Sequence, residues 1–144
     1  MTEPITVSTF FPELLRSVPE FERCVAQERE TAEESGGDPE DLDHMKFNPY
    51  SLAFDLFTVI LVPALKSPHA EGAQDLLTRA FGLLERAAAS PEAYVRDNLS
   101  LAMEDFLLGD LGPTAYAHAG PAFRTLMVEC VTARGNEVPD SWRA

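Results

Sequence analysis

The chain reads as an all-α protein, about six helices in a compact bundle or short helical stack, and three observations predict this. Ser67 to Asp110 reads as two helices joined by a tight Ser90-Pro91 turn, each with an apolar stripe and a charged face. Such a hairpin cannot bury both stripes alone and must stack on neighbours. The segment after Asn48-Pro49 is apolar nearly all round, as expected of a central helix, and capping and turn signals punctuate the rest. With 144 residues and 45% apolar content, the chain is read as a single helical domain over 1–144 with one core.

Taken in order, Ser8 is expected to cap a short helix that turns Phe10, Phe11, Leu14 and Leu15 inward. Ser17-Val18-Pro19-Glu20 matches a capping box opening a second helix, with Phe21, Cys24 and Val25 on one side. That helix becomes acidic and stops at Ser35-Gly36-Gly37-Asp38-Pro39. Asn48-Pro49 starts the apolar helix, in which Ser51, Asp55 and Thr58 share one narrow polar face and Pro63 predicts a kink or an end. From about His69 to Ala88, Ala73, Leu76, Leu77, Ala80, Leu84 and Ala87 recur at helical spacing, with Asp75 and Arg79 as an outer pair. Beyond the turn, Val95, Leu99, Ala102 and Phe106 form the next stripe, Glu92 and Arg96 pair outside, and Gly109 is the stop. Thr114 to His118 adds a helical turn. A last helix from Gly120-Pro121 to Gly135 carries Phe123, Leu126, Met127, Cys130 and Val131.

Two segments depart from this pattern. An acidic loop is expected near 34–47, within a run from Glu28 to Asp43 whose acids are opposed only by Arg29. A polar C-terminal tail follows from 136, apart from Val138 and Trp142. Over the whole chain 24 acids face 11 bases, a net charge of −13. That balance favours a basic partner and opposes nucleic acid and anionic lipid, since no Lys/Arg cluster exists to displace counterions. No secretory signal is visible at the N-terminus, and the apolar stretch Leu52–Leu65 is short of the roughly 20 residues a bilayer needs, so a cytoplasmic location is expected. Cys24 and Cys130, the only cysteines, are read as reduced and buried.

No reactive constellation emerges. The three histidines, His44, His69 and His118, belong to no nucleophile motif. Asp38 to His44 offers several ligands but lacks the glycine and distal glutamate of a calcium loop, so no metal is assigned. Gly36-Gly37 leads into acids that repel phosphate, so no cofactor is assigned either. Asp55 is a candidate raised-pKa carboxylate, although its polar strip argues for partial exposure. The chain is therefore read as non-catalytic; an enzyme would need a pocket where two acids converge.

Recognition of a protein remains. The partner-binding candidates are Glu30, Glu33, Glu34, Asp38, Glu40, Asp41 and Asp43 on the acidic stretch, and Asp97 and Glu104 on the outer face of the Val95 helix, where Ser100 shares their side and Asp105 flanks it, with Tyr94 added as an aromatic contact. Tyr94 and Trp142 are the aromatic anchors to consider, the alternative for each being a packed position inside. Oligomeric state stays open, because an all-round apolar helix serves a core or a twin subunit equally.

Two resemblances follow from these residues. Ser90-Pro91-Glu92-Ala93-Tyr94-Val95-Arg96, with Leu99 and Ala102 after it, resembles the turn and inner helix of a HEAT-type repeat. Residues 76–110, through Phe81-Gly82-Leu83-Leu84-Glu85, Val95-Arg96-Asp97-Asn98-Leu99 and Met103-Glu104-Asp105-Phe106-Leu107, resemble small acidic helical immunity proteins of bacterial polymorphic toxin systems. The second resemblance implies a protein that neutralises a cognate toxin by occluding its active site or substrate surface. The first implies a helical-repeat adaptor or scaffold subunit of a bacterial assembly.

Overall fold

The computed structural model describes residues 4–38, 40–107, 111–133, 135–138 and 140–142. Among them no strand occurs, and the helices are α1 (Phe10–Ser17), α2 (Glu22–Glu34), α3 (Asp43–Lys46), α4 (Pro49–Asp55), α5 (Val62–Lys66), α6 (Ala73–Ala88), α7 (Ala93–Leu107), α8 (Gly112–His118) and α9 (Pro121–Ala133). The protein is all-α and compactly packed, with α4 and α5 belonging to one continuous helix.

That helix, Pro49–Lys66, starts where expected: the Asn48 side chain accepts the Ser51 N–H at 3.2 Å, and Pro49 occupies the first turn. Pro63 does not end it. The turns before Pro63 widen into a π-helical segment, Leu56–Leu61, in which the Val62 N–H bonds the Phe57 carbonyl. A proline ring collides with the carbonyl four residues earlier and offers that carbonyl no donor; an extra residue in the preceding turn relieves both problems. Leu52, Ala53, Leu56, Phe57, Ile60 and Leu61 are buried, and α4 packs most extensively on α7. The whole helix is 18 residues long with mean hydropathy 1.3, so it is long and apolar enough to cross a membrane, although half of it is buried within the fold. The expectation from Leu52–Leu65 understated its length.

Among the described residues, buried side chains from every α-helix converge on one contiguous core that also takes in Ile5, Leu42, Ala119 and Trp142. Glu13 of α1 enters it as a carboxylate, held by Arg86 of α6 at 3.1 Å and by the exposed Arg16 at 3.1 Å. The N-terminal segment is fastened to the turn between α6 and α7. The buried Ser90 hydroxyl donates to the Ile5 carbonyl, and Glu92 accepts the Val7 N–H at 2.7 Å. Glu92 is therefore not the outer partner of Arg96 that its spacing suggested.

Two helix starts also differ from expectation. Thr9, not Ser8, precedes α1, and it makes no side-chain cap. The capping box at Ser17 does not form: Pro19–Phe21 is a single 3₁₀ turn without a side-chain cap. Glu20 instead meets Arg79 in a two-pronged pair at 2.9 and 2.8 Å, while Arg79 also bonds Asp75 at 2.9 Å and the Ser17 carbonyl at 3.0 Å. A long-range guanidinium fork outcompetes a local cap here. The helix expected from His69 begins at Ala73, because Gly72 sits at φ 81, in the left-handed region.

At α9 the cap comes from another helix. Glu85 of α6 accepts the Ala122 N–H at 2.7 Å and the Phe123 N–H at 3.1 Å, two donors the first turn of α9 cannot satisfy internally. Gly120 leaves room beside it, since a Cβ there would push the Glu85 carboxylate out of its capping position. Glu85→Ala is expected to cost about 1–3 kcal/mol, the usual penalty for stranding buried donors. Glu85→Gln, which keeps one acceptor, should fall between, and urea melts of the three proteins check the order.

The acidic loop near 34–47 is shorter than its composition implied. The helix runs to Glu34, and Gly36 at φ 79 closes it with Gly36 N–H on the Glu33 carbonyl and Gly37 N–H on the Ala32 carbonyl. Leu42 and Met45 then dive into the core around α3, so the stretch between α2 and α3 is confined to 35–42. The tail from 136 is likewise more engaged than polar composition suggested. Trp142 is buried and stacks flat on Tyr116 at 4.8 Å between ring centres, while Arg124 lies 4.5 Å from the Tyr116 ring. Gly109 lies outside the described residues, as do the Phe106 and Asp105 side chains.

Candidate interaction surface

The fold carries the predicted carboxylates on α2, on the turn after it, on α3 and on α7. On α2, Glu30, Glu33 and Glu34 are exposed and stand at three- and four-residue spacing on one face. Asp38 is exposed and accepts the Glu40 N–H at 2.9 Å, turning the chain so that Glu40 and Asp41 also face solvent. Asp43 opens α3, and its side chain lies outside the described residues. Glu22 and Arg29 form an exposed ion pair at 3.4 Å on this helix.

On α7, Tyr94 is 56% exposed, Asp97 is exposed and Glu104 is partly covered. Leu101, also on α7, is 51% exposed. Trp142 takes the packed alternative and is no surface anchor.

Sequence reasoning missed three further residues. Phe47, Tyr50 and Phe54 are 50%, 40% and 39% exposed along the outer side of α4, and the Tyr50 and Phe54 rings stack at 6.0 Å. An apolar residue that is out of phase with its helix's buried stripe is the signal that finds such positions; Leu101 shows it against Val95, Leu99 and Ala102. On α4 the signal is absent, because almost every position is apolar.

Asp55 marks the border between α2 and α4. It is half-buried, and burial first, then the neighbouring charge of Glu28, raises its pKa above the ordinary carboxylate range. The folded state thus holds the Asp55 proton more tightly than the unfolded state does. Its contribution to stability is full below the ordinary carboxylate pKa and is lost as pH rises through the raised value. Asp55→Asn is expected to stabilise the protein near neutral pH, by up to about 1 kcal/mol, and to change nothing near pH 3. Thermal melts at the two pH values check the sign.

The remaining reactive groups are quiet. Cys24 is buried, and burial with the nearby Asp55 pushes its thiol up to about 11, which leaves it protonated and a poor nucleophile. Cys130 is buried and donates to the Ser100 carbonyl at 3.4 Å. His118 stacks on Phe81 at 5.6 Å. Among the described residues no group of three or more His, Cys, Asp and Glu side chains is placed to hold a metal. A cleft of about 500 Å³ is floored by Val59, Ile60, Pro63 and Ala64, and Glu20 and Glu71 both line it. Glu20 is engaged by Arg79, whose hydrogen bonds hold its carboxyl below the usual range, so it stays ionised and is unsuited to donate a proton.

The arrangement can therefore offer a partner exposed carboxylates on α2 and α7, and exposed aromatic side chains on α4 and α7. No protein-family model, curated protein or solved structure matches the chain.

Proposed function

We propose that this chain is a non-catalytic, cytoplasmic protein-binding module for a basic protein, and that it serves as an immunity protein neutralising a cognate toxin. The observation that carries the reading is the exposed carboxylate face of α2 and its following turn, Glu30, Glu33, Glu34, Asp38, Glu40 and Asp41, on a chain of net charge −13. Carboxylates displayed on a rigid helix steer a cationic partner and then form charge-assisted hydrogen bonds with its Lys and Arg side chains. A toxin whose substrate is polyanionic presents such cations in its substrate groove, and an acidic surface seated there excludes the substrate.

The test is affinity capture of the tagged protein from its host at low salt, with bound proteins identified by mass spectrometry. One basic protein recovered in near-equal amount is the expected result. Glu30, Glu33, Glu34 and Glu40 changed together to lysine should weaken its binding by about tenfold or more, since rim charges reversed in sign repel rather than merely vanish. Capture of an assembly of several subunits, insensitive to that variant, would favour a scaffold role instead.

A further inference from the structure

The cleft of about 500 Å³ beside Pro63 falls within the size range of small-molecule sites. Val59, Ile60, Pro63 and Ala64 bring apolar surface to it from the second half of the Pro49–Lys66 helix, and Leu76 adds more from α6. Val59 and Ile60 belong to the π-helical segment, and a π turn inside an α-helical run often accompanies a functional site. Among the described lining residues three are charged: Glu20, Arg23 and Glu71. Glu20 is already neutralised, because its two oxygens accept from Arg79 at 2.9 and 2.8 Å. Arg23 and Glu71 are exposed, and among the described residues neither has an ion pair or a side-chain hydrogen bond, with each other or with a third group. A cation and an anion that line one cleft without pairing are each open to the opposite charge of a bound molecule.

We infer that this cleft binds a small zwitterion with an apolar body, the chemistry of an apolar α-amino acid or of a short apolar peptide. Arg23 receives the carboxylate and Glu71 the ammonium, while the aliphatic side chain rests on Val59, Ile60, Pro63 and Ala64. Charge selects this class over simpler ones. With Glu20 neutralised by Arg79, the cleft retains one positive and one negative side chain and sums to zero. A fatty acid would leave Glu71 unanswered, and an alkyl amine would leave Arg23 so. A plain hydrocarbon would strip water from both charges and return nothing to either. A zwitterion answers both at once. Such a site stands or falls apart from the protein partner proposed above, because it uses none of the exposed acids of α2 that would hold that partner.

The experiment is a calorimetric titration of the full chain with L-leucine and with L-leucyl-L-leucine at neutral pH. Three controls each lack one feature: 4-methylpentanoate the ammonium, 3-methylbutylamine the carboxylate, and glycine the apolar body. At least one of the two zwitterions should bind about tenfold or more tightly than every control, the usual worth of a hydrogen bond to a charged group. Tighter leucine identifies a free amino acid as the ligand and tighter dipeptide a peptide, and either supports the site. Arg23→Gln should remove the preference over 3-methylbutylamine, and Glu71→Gln the preference over 4-methylpentanoate. Both side chains are exposed, so the variants keep the fold, which a melt confirms. No binding of either zwitterion at millimolar concentration would overturn the site. So would equal binding of a control, or preferences that neither variant changes.

Discussion

Phe123→Ala is expected to cost about 3–5 kcal/mol, the range found when a fully buried phenylalanine is truncated. The ring is completely buried and meets Phe81 edge-on at 6.0 Å and Phe57 at 6.5 Å. It thereby joins α9 to α6 and to the π-helical segment, three elements brought together from distant parts of the chain. Its own backbone N–H is bound to Glu85, so the helix start cannot slide to refill the space. Domains of this size are stable by about 5–15 kcal/mol in total, so the variant should keep only a small margin at room temperature. Urea unfolding with an unchanged slope would show the loss as a shift of midpoint. Phe123→Leu, which keeps most of the volume, should cost less than about 1.5 kcal/mol. Equal costs for the two variants would mean that the three rings do not form a tight contact.

Arg86→Met carries the second large effect. Glu13 is only 7% exposed, and Arg86 at 3.1 Å is its inward partner, whereas Arg16 reaches it from solvent. Removing the guanidinium leaves a buried carboxylate with one exposed, screened cation, a change that typically costs about 3–5 kcal/mol. The companion variant Glu13→Leu with Arg86→Met should recover most of the loss, because an apolar pair of similar volume needs no charge compensation. The double-mutant cycle reads the coupling directly. A double variant as unstable as Arg86→Met alone would show that Arg86 acts mainly through its other contacts on α6.

What could be read in advance was the part of the fold governed by local periodicity. In the stripe of Ala73, Leu76, Leu77, Ala80, Leu84 and Ala87 every residue but the partly buried Leu76 is buried as expected, and so are Phe123, Leu126, Met127, Cys130 and Val131. The Asn48 cap and the stop at Gly36 also form, since both depend on neighbours within a few residues. What escaped depends on residues far apart in sequence. Glu20 looked like a local cap and is claimed by Arg79; Glu92 looked like a partner for Arg96 and holds Val7; Glu85 showed no sign of capping α9. A carboxylate close to a helix start is legible, but which distant donor it serves is set by packing. At the candidate site, Asp97 is exposed and Glu104 partly so, positions that the periodicity of a single helix makes legible. Phe47, Tyr50 and Phe54 were hidden because the only polar face the helix shows, Ser51, Asp55 and Thr58, is narrow and has apolar residues on both sides of it.

The bonds that tie Ile5 and Val7 to Ser90 and Glu92 each span 85 positions of sequence. During synthesis at about 5–20 residues per second, residues 5–7 wait about 4–17 s before their partners exist. Phe10 and Leu14, whose helix packs on α6, wait with them. A newly made half-chain therefore displays apolar side chains that the finished protein hides completely. Any delay in translating the α6–α7 region prolongs that display, and it is then that the nascent chain is most open to chaperones, proteases and misassociation.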